Sequence, residues 1–177
     1  MSSFVQLNTG TASNSGFITL TGITSDYNTC VLFYSDVVPA TDGADLQCRM
    51  VESGGENNNT NYCYGTPYAR SDKSFVNSSG DQLAQAGKTQ FPLSGSADNS
   101  STSGQMGKVY IQNASNSSEN THVVTSTNYL SDGSTQIEIG AFMGGVLKEQ
   151  TAVTGIKIFF DTGNITKGNF VLYGIKE

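Results

Sequence analysis

The sequence predicts an all-β protein, with residues 1–177 forming a single antiparallel β-sandwich or jelly roll that has long polar loops. Charged residues make up only 14% of the chain, and 20 glycines accompany abundant Ser, Thr and Asn. This composition, together with the β-branched residues, favours short strands joined by many turns. About eight segments alternate apolar and polar residues at a spacing of roughly 8–12 residues, which is typical of sandwiches and jelly rolls.

Three strands are predicted in the first third of the chain. Ile18 and Leu20 alternate with threonines, which indicates a half-buried strand. The run CVLFYSDVV is short and rich in β-branched and aromatic residues, so it is also predicted as a strand. After the turn-forming segment PATDGA, the residues Leu46, Cys48 and Met50 alternate with polar neighbours. Cys48 is therefore expected to be a small core residue.

The middle of the chain, at about 52–107, is a Ser/Asn/Gly-rich insertion. It contains few apolar residues and many turn formers. A long stretch of this kind inside a compact domain is usually functional. The segment GDQLAQAGK predicts a single helical turn, and one extra strand is expected around Tyr62 to Tyr68.

Alternation resumes in the last third of the chain. KVYIQNAS and THVVTSTNYL are predicted strands joined by the turn NSSEN, and TQIEIGAFMGGVL follows as another strand. The final apolar segments, GIKIFF and FVLYGI, are predicted to form an antiparallel hairpin. Its turn, DTGNITKG, is longer than two residues, so packing would have to set the register. Phe170 and Leu172 are predicted core residues.

Charge and cysteine content narrow the function classes. The net charge is −6, and the absence of a Lys/Arg cluster argues against nucleic-acid binding and against a basic membrane surface. Cys30, Cys48 and Cys63 have neither zinc-site nor disulfide-framework spacing. The N-terminus lacks the pattern of a secretory signal, and no apolar run reaches the ~18 residues of a membrane span. We therefore expect folding in a reducing cytoplasm, without a metal or cofactor.

No enzymatic activity is predicted. The single histidine, His122, would need a nearby nucleophile and an orienting acid, so a surface or hydrogen-bonded role is expected instead. Two oxygen-rich loops, one with Asp42 and Asp45 and one with Asp161 and Asn164, lack a recognised calcium-ligand spacing. Acids are frequent in the first third of the chain but lie in or beside turns, where Asp usually accepts backbone hydrogen bonds. These acids are Asp36, Asp42, Asp45, Glu52 and Glu56.

The segment NYCYGTPYAR supplies the candidate binding residues Tyr62, Tyr64, Tyr68 and Arg70. Tyr and Arg are enriched at interface hot spots, and loop tyrosines beside Asn and Ser also suit carbohydrate. Alternatively, Tyr62 and Tyr64 belong to one further strand with a packed face. A strand can also present an interface, so both interpretations stay open.

Both ends of the chain resemble a loose group of tailed-bacteriophage virion proteins. The segment ITLTGITSDYNTCVLFYSDVVPATDGADLQCRM is similar to that group's pattern I-x-x-x-G-I…Y-x-x-Y-x-L/I…V-x-P-x-x-D-x-x-x-L-x-x-R. The segment VTGIKIFFDTGNITKGNFVLYGIKE resembles the group's usual ending, a Gly-Ile strand, a GN-x-x-x-G turn and F-x-L-Y-G-I. The resemblance covers about half of the chain and departs from the pattern at Cys30, where an aromatic residue is usual.

This resemblance implies a non-enzymatic structural protein on the outside of a virion, assembled in the host cytoplasm. We expect a capsid decoration or cement protein, a trimer, that binds the major capsid protein. It would stabilise the shell through added interfacial area. The alternative is a tail-fibre or receptor-binding module that recognises host surface glycans through residues 62–70. A carbohydrate-active enzyme on a jelly roll is a third class, and it would require a buried pair of carboxylates in an open groove.

Overall fold

The computed structural model describes residues 3–76, 84–133 and 135–176, and within these ranges the chain forms strands and no helix. The predicted all-β, antiparallel sandwich is confirmed. The strands are β1 (Ser3–Ser15), β2 (Ile18–Thr21), β3 (Thr29–Pro39), β4 (Leu46–Glu52), β5 (Gly55–Glu56), β6 (Tyr62–Gly65), β7 (Tyr68–Arg70), β8 (Lys73–Val76), β9 (Ala84–Lys88), β10 (Phe91–Pro92), β11 (Gln105–Gln112), β12 (Thr121–Leu130), β13 (Glu138–Leu147), β14 (Val153–Phe160) and β15 (Ile165–Lys176).

Two sheets of unequal size form the sandwich. The ten-stranded sheet has the order β1-β15-β3-β11-β12-β13-β6-β9, and β7 joins it beside β13 with β8 outside β7. The five-stranded sheet has the order β10-β4-β14-β2, with β5 beside β4. The pairings described between these strands are antiparallel.

The core lies between the two sheets and follows from the period of two along each strand. The predicted core residues are each at most 1% exposed. They are Leu46, Cys48, Met50, Phe170 and Leu172. Removal of their apolar surface from water, at roughly 25 cal/mol per Å², stabilises the contact between the sheets.

The prediction that GIKIFF and FVLYGI form a C-terminal hairpin is wrong, because the two strands lie in different sheets. β14 pairs with β2 and β4 in the small sheet, whereas β15 pairs with β1 and β3 in the large sheet. The chain between them, residues 161–164, therefore crosses from one sheet to the other. A four-residue connection can span the ~10 Å that separates stacked sheets, so both apolar strands face the core from opposite sides.

The polar insertion is more regular than its composition indicates. β5 to β10 lie within residues 52–107, and the expected extra strand around Tyr62 to Tyr68 is confirmed as β6 and β7. Both strands pair with β13, and they are separated by a step at Pro67, whose carbonyl accepts the Phe142 N–H at 3.0 Å. The predicted helical turn is wrong at residues 84–88, which form β9 beside β6. Residues 80–83 of that segment lie outside the described residues.

Residues 93–98 follow β10 and pack against the large sheet, beside the last residues of β12 and the first residues of β13. Ala97 forms isolated bridges with Ala44 and with Ser131. Ala97 also forms a second, smaller apolar cluster with Tyr129 and Ile139 of the large sheet. This arrangement leaves a recess between the segment and the sheet.

Candidate functional site

The structure brings three of the four candidate binding residues to this recess. Tyr64 and Tyr68 line one cavity, and Tyr68 and Arg70 line the adjoining cavity. Tyr62 is different, because its side chain is fully buried in the core and its hydroxyl is bonded to backbone groups of Met50 and Asn57. The prediction that Tyr62 contacts a partner is therefore wrong. Tyr62 instead belongs to the packed face of a strand, which is the alternative interpretation of this segment.

We call the two adjoining cavities the tyrosine cleft. The first has a volume of about 240 Å³, and the second has a volume of about 420 Å³. They share Tyr68, Gly95 and Tyr129, so they form one continuous groove. Inner-face residues of β12 and β13, including Thr125, line the first cavity together with Asp45.

Asp45 is the acidic group of the first cavity. Its Oδ1 accepts the Ser96 N–H at 2.6 Å, which holds the carboxylate against the 93–98 segment. Burial raises the pKa of Asp45, the Ser96 hydrogen bond opposes that rise, and the carboxylates of Asp161 and Asp132 add to it. Its Oδ2 has no hydrogen-bond partner in the ranges that the structure describes. Asp45 can therefore accept a further hydrogen bond from a ligand.

Burial also determines the state of the tyrosines. It raises the pKa of Tyr129 to about 12, against a smaller lowering by the Gly95 backbone. Burial likewise raises the pKa of Tyr64, with a further contribution from Asp45. Both phenols consequently stay protonated at neutral pH and can donate hydrogen bonds.

The cationic side chain beside the cleft is already paired. Arg70 Nε lies 2.8 Å from Asp72 Oδ1 and Arg70 Nη2 lies 2.9 Å from Asp72 Oδ2, a bidentate ion pair. With Asp45 and Asp132 lining the same groove, the electrostatic environment is acidic. An anionic ligand would be disfavoured there.

Sequence reasoning found Tyr64, Tyr68 and Arg70 but missed Asp45, Thr125 and Tyr129. The sequence predicts Asp45 as a turn residue of an oxygen-rich loop, and it places the other two in an alternating strand. No local signal joins them to the tyrosines, because the large sheet brings them together from distant parts of the chain.

A second surface, also missed, is the outer face of the large sheet. Strand register places Val171, Phe33, Lys108, Ser126 and Phe142 side by side across five strands. In the next row Tyr173, Val31, Tyr110 and Val124 lie side by side. Lys108 is the one charged residue in these two rows, and its ammonium group lies 5.5 Å from the Tyr110 ring centroid. We call these rows, together with Phe4 beside Tyr173 and Met106 in the row beyond Lys108, the outer sheet face.

Large apolar side chains project from this face into solvent. Their exposed fractions are 57% for Phe4, 39% for Phe33, 59% for Met106, 58% for Val124 and 48% for Phe142. These fractions correspond to roughly 500 Å² of apolar surface, taking about 150–250 Å² for each large side chain. The sequence signal for this apolar outer face is a run of consecutive apolar residues, such as CVLF or HVV. A strand with one face in water would instead alternate apolar and polar residues.

The candidate catalytic residues are not assembled. His122 is exposed, as expected, and register places it opposite Val146, which in turn pairs with Cys63. His122 and Cys63 are therefore two strands apart, about 9–10 Å, which is beyond hydrogen-bond reach. Cys48 lies in the core.

The acids in the first third of the chain have structural partners. Asp36 pairs with Lys167 at 2.7 Å, and Glu56 pairs with Lys157 at 2.8 Å. Asp42 Oδ1 accepts the Asn99 N–H at 3.3 Å, and Asp161 Oδ1 accepts the Asp45 N–H at 2.9 Å. Asp42, Asp45 and Asp161 accept backbone N–H groups, as expected, but the donors lie in distant loops, so the expectation of local turn bonds is wrong. Asp36 does not lie in a turn, because it falls within β3. Glu52 accepts hydrogen bonds from Asn57 and Thr151.

Within the described ranges there is no group of three or more His, Cys, Asp or Glu side chains placed to hold a metal ion. The same ranges contain no helix with the length and apolar character needed to cross a membrane. No protein-family model, curated protein or solved structure matches the chain.

Proposed function

We propose that this chain is a non-enzymatic structural protein of a tailed-phage virion, a capsid decoration or cement protein. In this role its outer sheet face attaches it to the particle, with the major capsid protein as the partner. The proposal takes its class from the resemblance of both chain ends to exterior virion proteins. The observation that carries it is the group of exposed apolar side chains on the outer sheet face, where Lys108 is the one charged residue of the two central rows.

The area of that face supports a role in attachment. Its roughly 500 Å² of exposed apolar side chain lies near the upper end of the ~300–600 Å² found for the largest patch of a typical monomer, which is often functional. A standard protein–protein interface buries about 800 Å² per partner. The exposed Phe, Val and Met side chains would supply more than half of that area. Depletion of charge and enrichment of aromatic residues are also features of interface centres.

Binding of the purified protein to capsid shells that lack it tests the attachment face directly. The matched variants are Phe4→Ser and Phe17→Ser, because the two phenylalanines are 57% and 54% exposed. Phe4 lies on the outer sheet face, where its ring packs edge-on against Tyr173 at 5.8 Å. Phe17 lies beside the small sheet, 4.3 Å from the Lys157 ammonium group. Phe4→Ser should weaken binding to shells about tenfold or more, and Phe17→Ser should not change it. Equal effects of the two changes would contradict the proposed face.

Two further measurements test the cement role and the trimer. Particles without the protein should burst at a lower temperature than complete particles, since a ligand of the assembled state stabilises it. Unchanged particle stability would contradict the cement role. Light scattering on the purified protein should give the mass of three chains, and a monomer at all concentrations would contradict the trimer.

A tail-fibre or receptor-binding module that recognises host glycans is the second candidate. The tyrosine cleft is the observation that favours it. Copy number distinguishes the two candidates, because a decoration protein is present in hundreds of copies per particle and a tail component in a few dozen or fewer.

A further inference from the structure

We propose that the tyrosine cleft is a binding site for a neutral oligosaccharide of at least two sugar rings. This inference does not depend on the capsid-decoration role, and it deepens the second candidate function by naming the class of glycan that the cleft would take. It rests on the size, lining and charge of the cleft.

The dimensions of the cleft suit a short chain of sugar rings. A cavity of about 240 Å³ is smaller than the ~300–1,000 Å³ typical of sites for drug-sized ligands. It has room for one small ring, and the adjoining cavity of about 420 Å³ continues the same groove. The shared wall of Tyr68, Gly95 and Tyr129 would contact both halves of an extended ligand.

The lining combines aromatic surface with hydrogen-bonding groups that have no partner among the described residues. Tyr64 and Tyr68 provide rigid amphipathic rings, which give large contact area at low entropic cost. The Tyr64 and Thr125 hydroxyls and Asp45 Oδ2 have no hydrogen-bond partner in the described part of the chain. A ligand with apolar ring faces and many hydroxyls, such as a sugar, matches both features. A purely apolar ligand would leave these groups unpaired, which is unfavourable for buried polar groups.

The charge of the cleft selects a neutral sugar. Asp45 and Asp132 line the groove, and the guanidinium of Arg70 is held by Asp72. Sialylated, sulfated or phosphorylated ligands would bring a negative charge beside these carboxylates, and like charges repel more strongly at partly buried sites. For the same reason the aromatic rings do not form a nucleic-acid site.

The experiment measures binding of the purified full-length protein to an array of neutral, sialylated and sulfated glycans, with titration calorimetry on the neutral members retained. The discriminating variant is Thr125→Val, which removes the cleft hydroxyl and nearly preserves shape. Its control is Thr121→Val in the same strand. Thr121 is fully buried and its hydroxyl also lacks a partner in the described ranges, but it does not line the cleft. Asp45→Asn provides a second variant, since an amide oxygen can still accept the Ser96 N–H.

The wild-type protein should bind neutral oligosaccharides. Thr125→Val should lower their affinity about threefold to tenfold, the effect of losing one hydrogen bond, and Thr121→Val should leave it unchanged. Asp45→Asn should reduce the discrimination against sialylated members. Denaturation midpoints of the variants close to that of the wild type would exclude unfolding as the cause. Absence of binding to every neutral glycan, preference for anionic ones, or equal effects of the two threonine changes would overturn the proposal.

Discussion

The substitution Tyr62→Phe tests how the middle segment is fixed to the core. The Tyr62 ring is fully buried and packs edge-on against Phe91, with centroids 4.7 Å apart. Its hydroxyl accepts the Met50 N–H at 3.0 Å and donates to the Asn57 carbonyl at 2.8 Å. Phenylalanine keeps the ring and its packing but loses both hydrogen bonds. The change therefore isolates the contribution of one hydroxyl group.

The expected loss of stability follows from the two backbone groups, the Met50 N–H and the Asn57 carbonyl, that the substitution leaves unpaired. The Met50 side chain is fully buried and Asn57 is 4% exposed, so water cannot easily replace the hydroxyl. An unpaired buried backbone group costs about 1–3 kcal/mol. Two such groups give a loss of roughly 2–4 kcal/mol in the free energy of unfolding, allowing for some movement of the Asn57 loop. For a chain of this length that corresponds to a fall in Tm of roughly 5–15 °C.

Urea denaturation followed by circular dichroism measures this loss. Tyr64→Phe is the matched control, because the Tyr64 hydroxyl has no hydrogen-bond partner in the described ranges and is half-exposed. The control should change stability by less than about 0.5 kcal/mol. A Tyr62→Phe midpoint equal to that of the wild type, or an equal fall in the two variants, would refute the reasoning.

Three other predictions concern packing, pH and the C-terminus. Gly145→Ala should lower the free energy of unfolding by about 1–3 kcal/mol, because an added Cβ would lie 2.7 Å from Phe91. Gly144→Ala, whose Cβ would have no atom within 4 Å, should leave the free energy of unfolding unchanged in the same denaturation assay. Three Asn side chains hold the pKa of Glu149 below its ordinary value of 4.5, so its contribution to stability is present above pH 4.5 and is lost as the pH falls through the lowered pKa. The stability difference between the wild type and Glu149→Gln should therefore shrink below pH 4.5, and a constant difference from pH 7 to pH 3 would contradict this. Deletion of residues 170–177 should abolish folding, since it removes part of a strand that pairs with both β1 and β3; a truncated chain with a folded circular dichroism spectrum would show otherwise.

The strands and much of the core were predictable because they depend on local alternation. Leu46, Cys48 and Met50 follow the period of two that a half-buried strand requires, and all three are buried. The N-terminal strand β1 was not predicted, because its sequence, SFVQLNTGTASNS, is mostly polar. It is a strand because it pairs along nearly the whole length of β15. This tertiary pairing overrides a weak local preference.

The choice of partner for each strand was not predictable from local sequence. GIKIFF and FVLYGI have the same alternation whether they pair with each other or lie in opposite sheets. A short polar connection permits both arrangements, and only the remaining strands decide between them. The tyrosine cleft has the same origin, since Asp45, Tyr64 and Thr125 meet through the pairing of distant strands. Local patterns therefore indicated some of the residue types of the site but not their assembly.

The two candidate surfaces lie on opposite faces of the same strand. In β12, Val124 projects from the outer sheet face, and its neighbour Thr125 lines the tyrosine cleft. Successive side chains of a strand point to opposite faces, so attachment through the outer sheet face would leave the cleft open to solvent. The attachment role and the saccharide site are therefore compatible in a single copy. On this reasoning, copies bound to the particle should bind a neutral oligosaccharide with the same affinity as the free protein. A markedly weaker affinity on the particle would mean that attachment and saccharide binding use the same face.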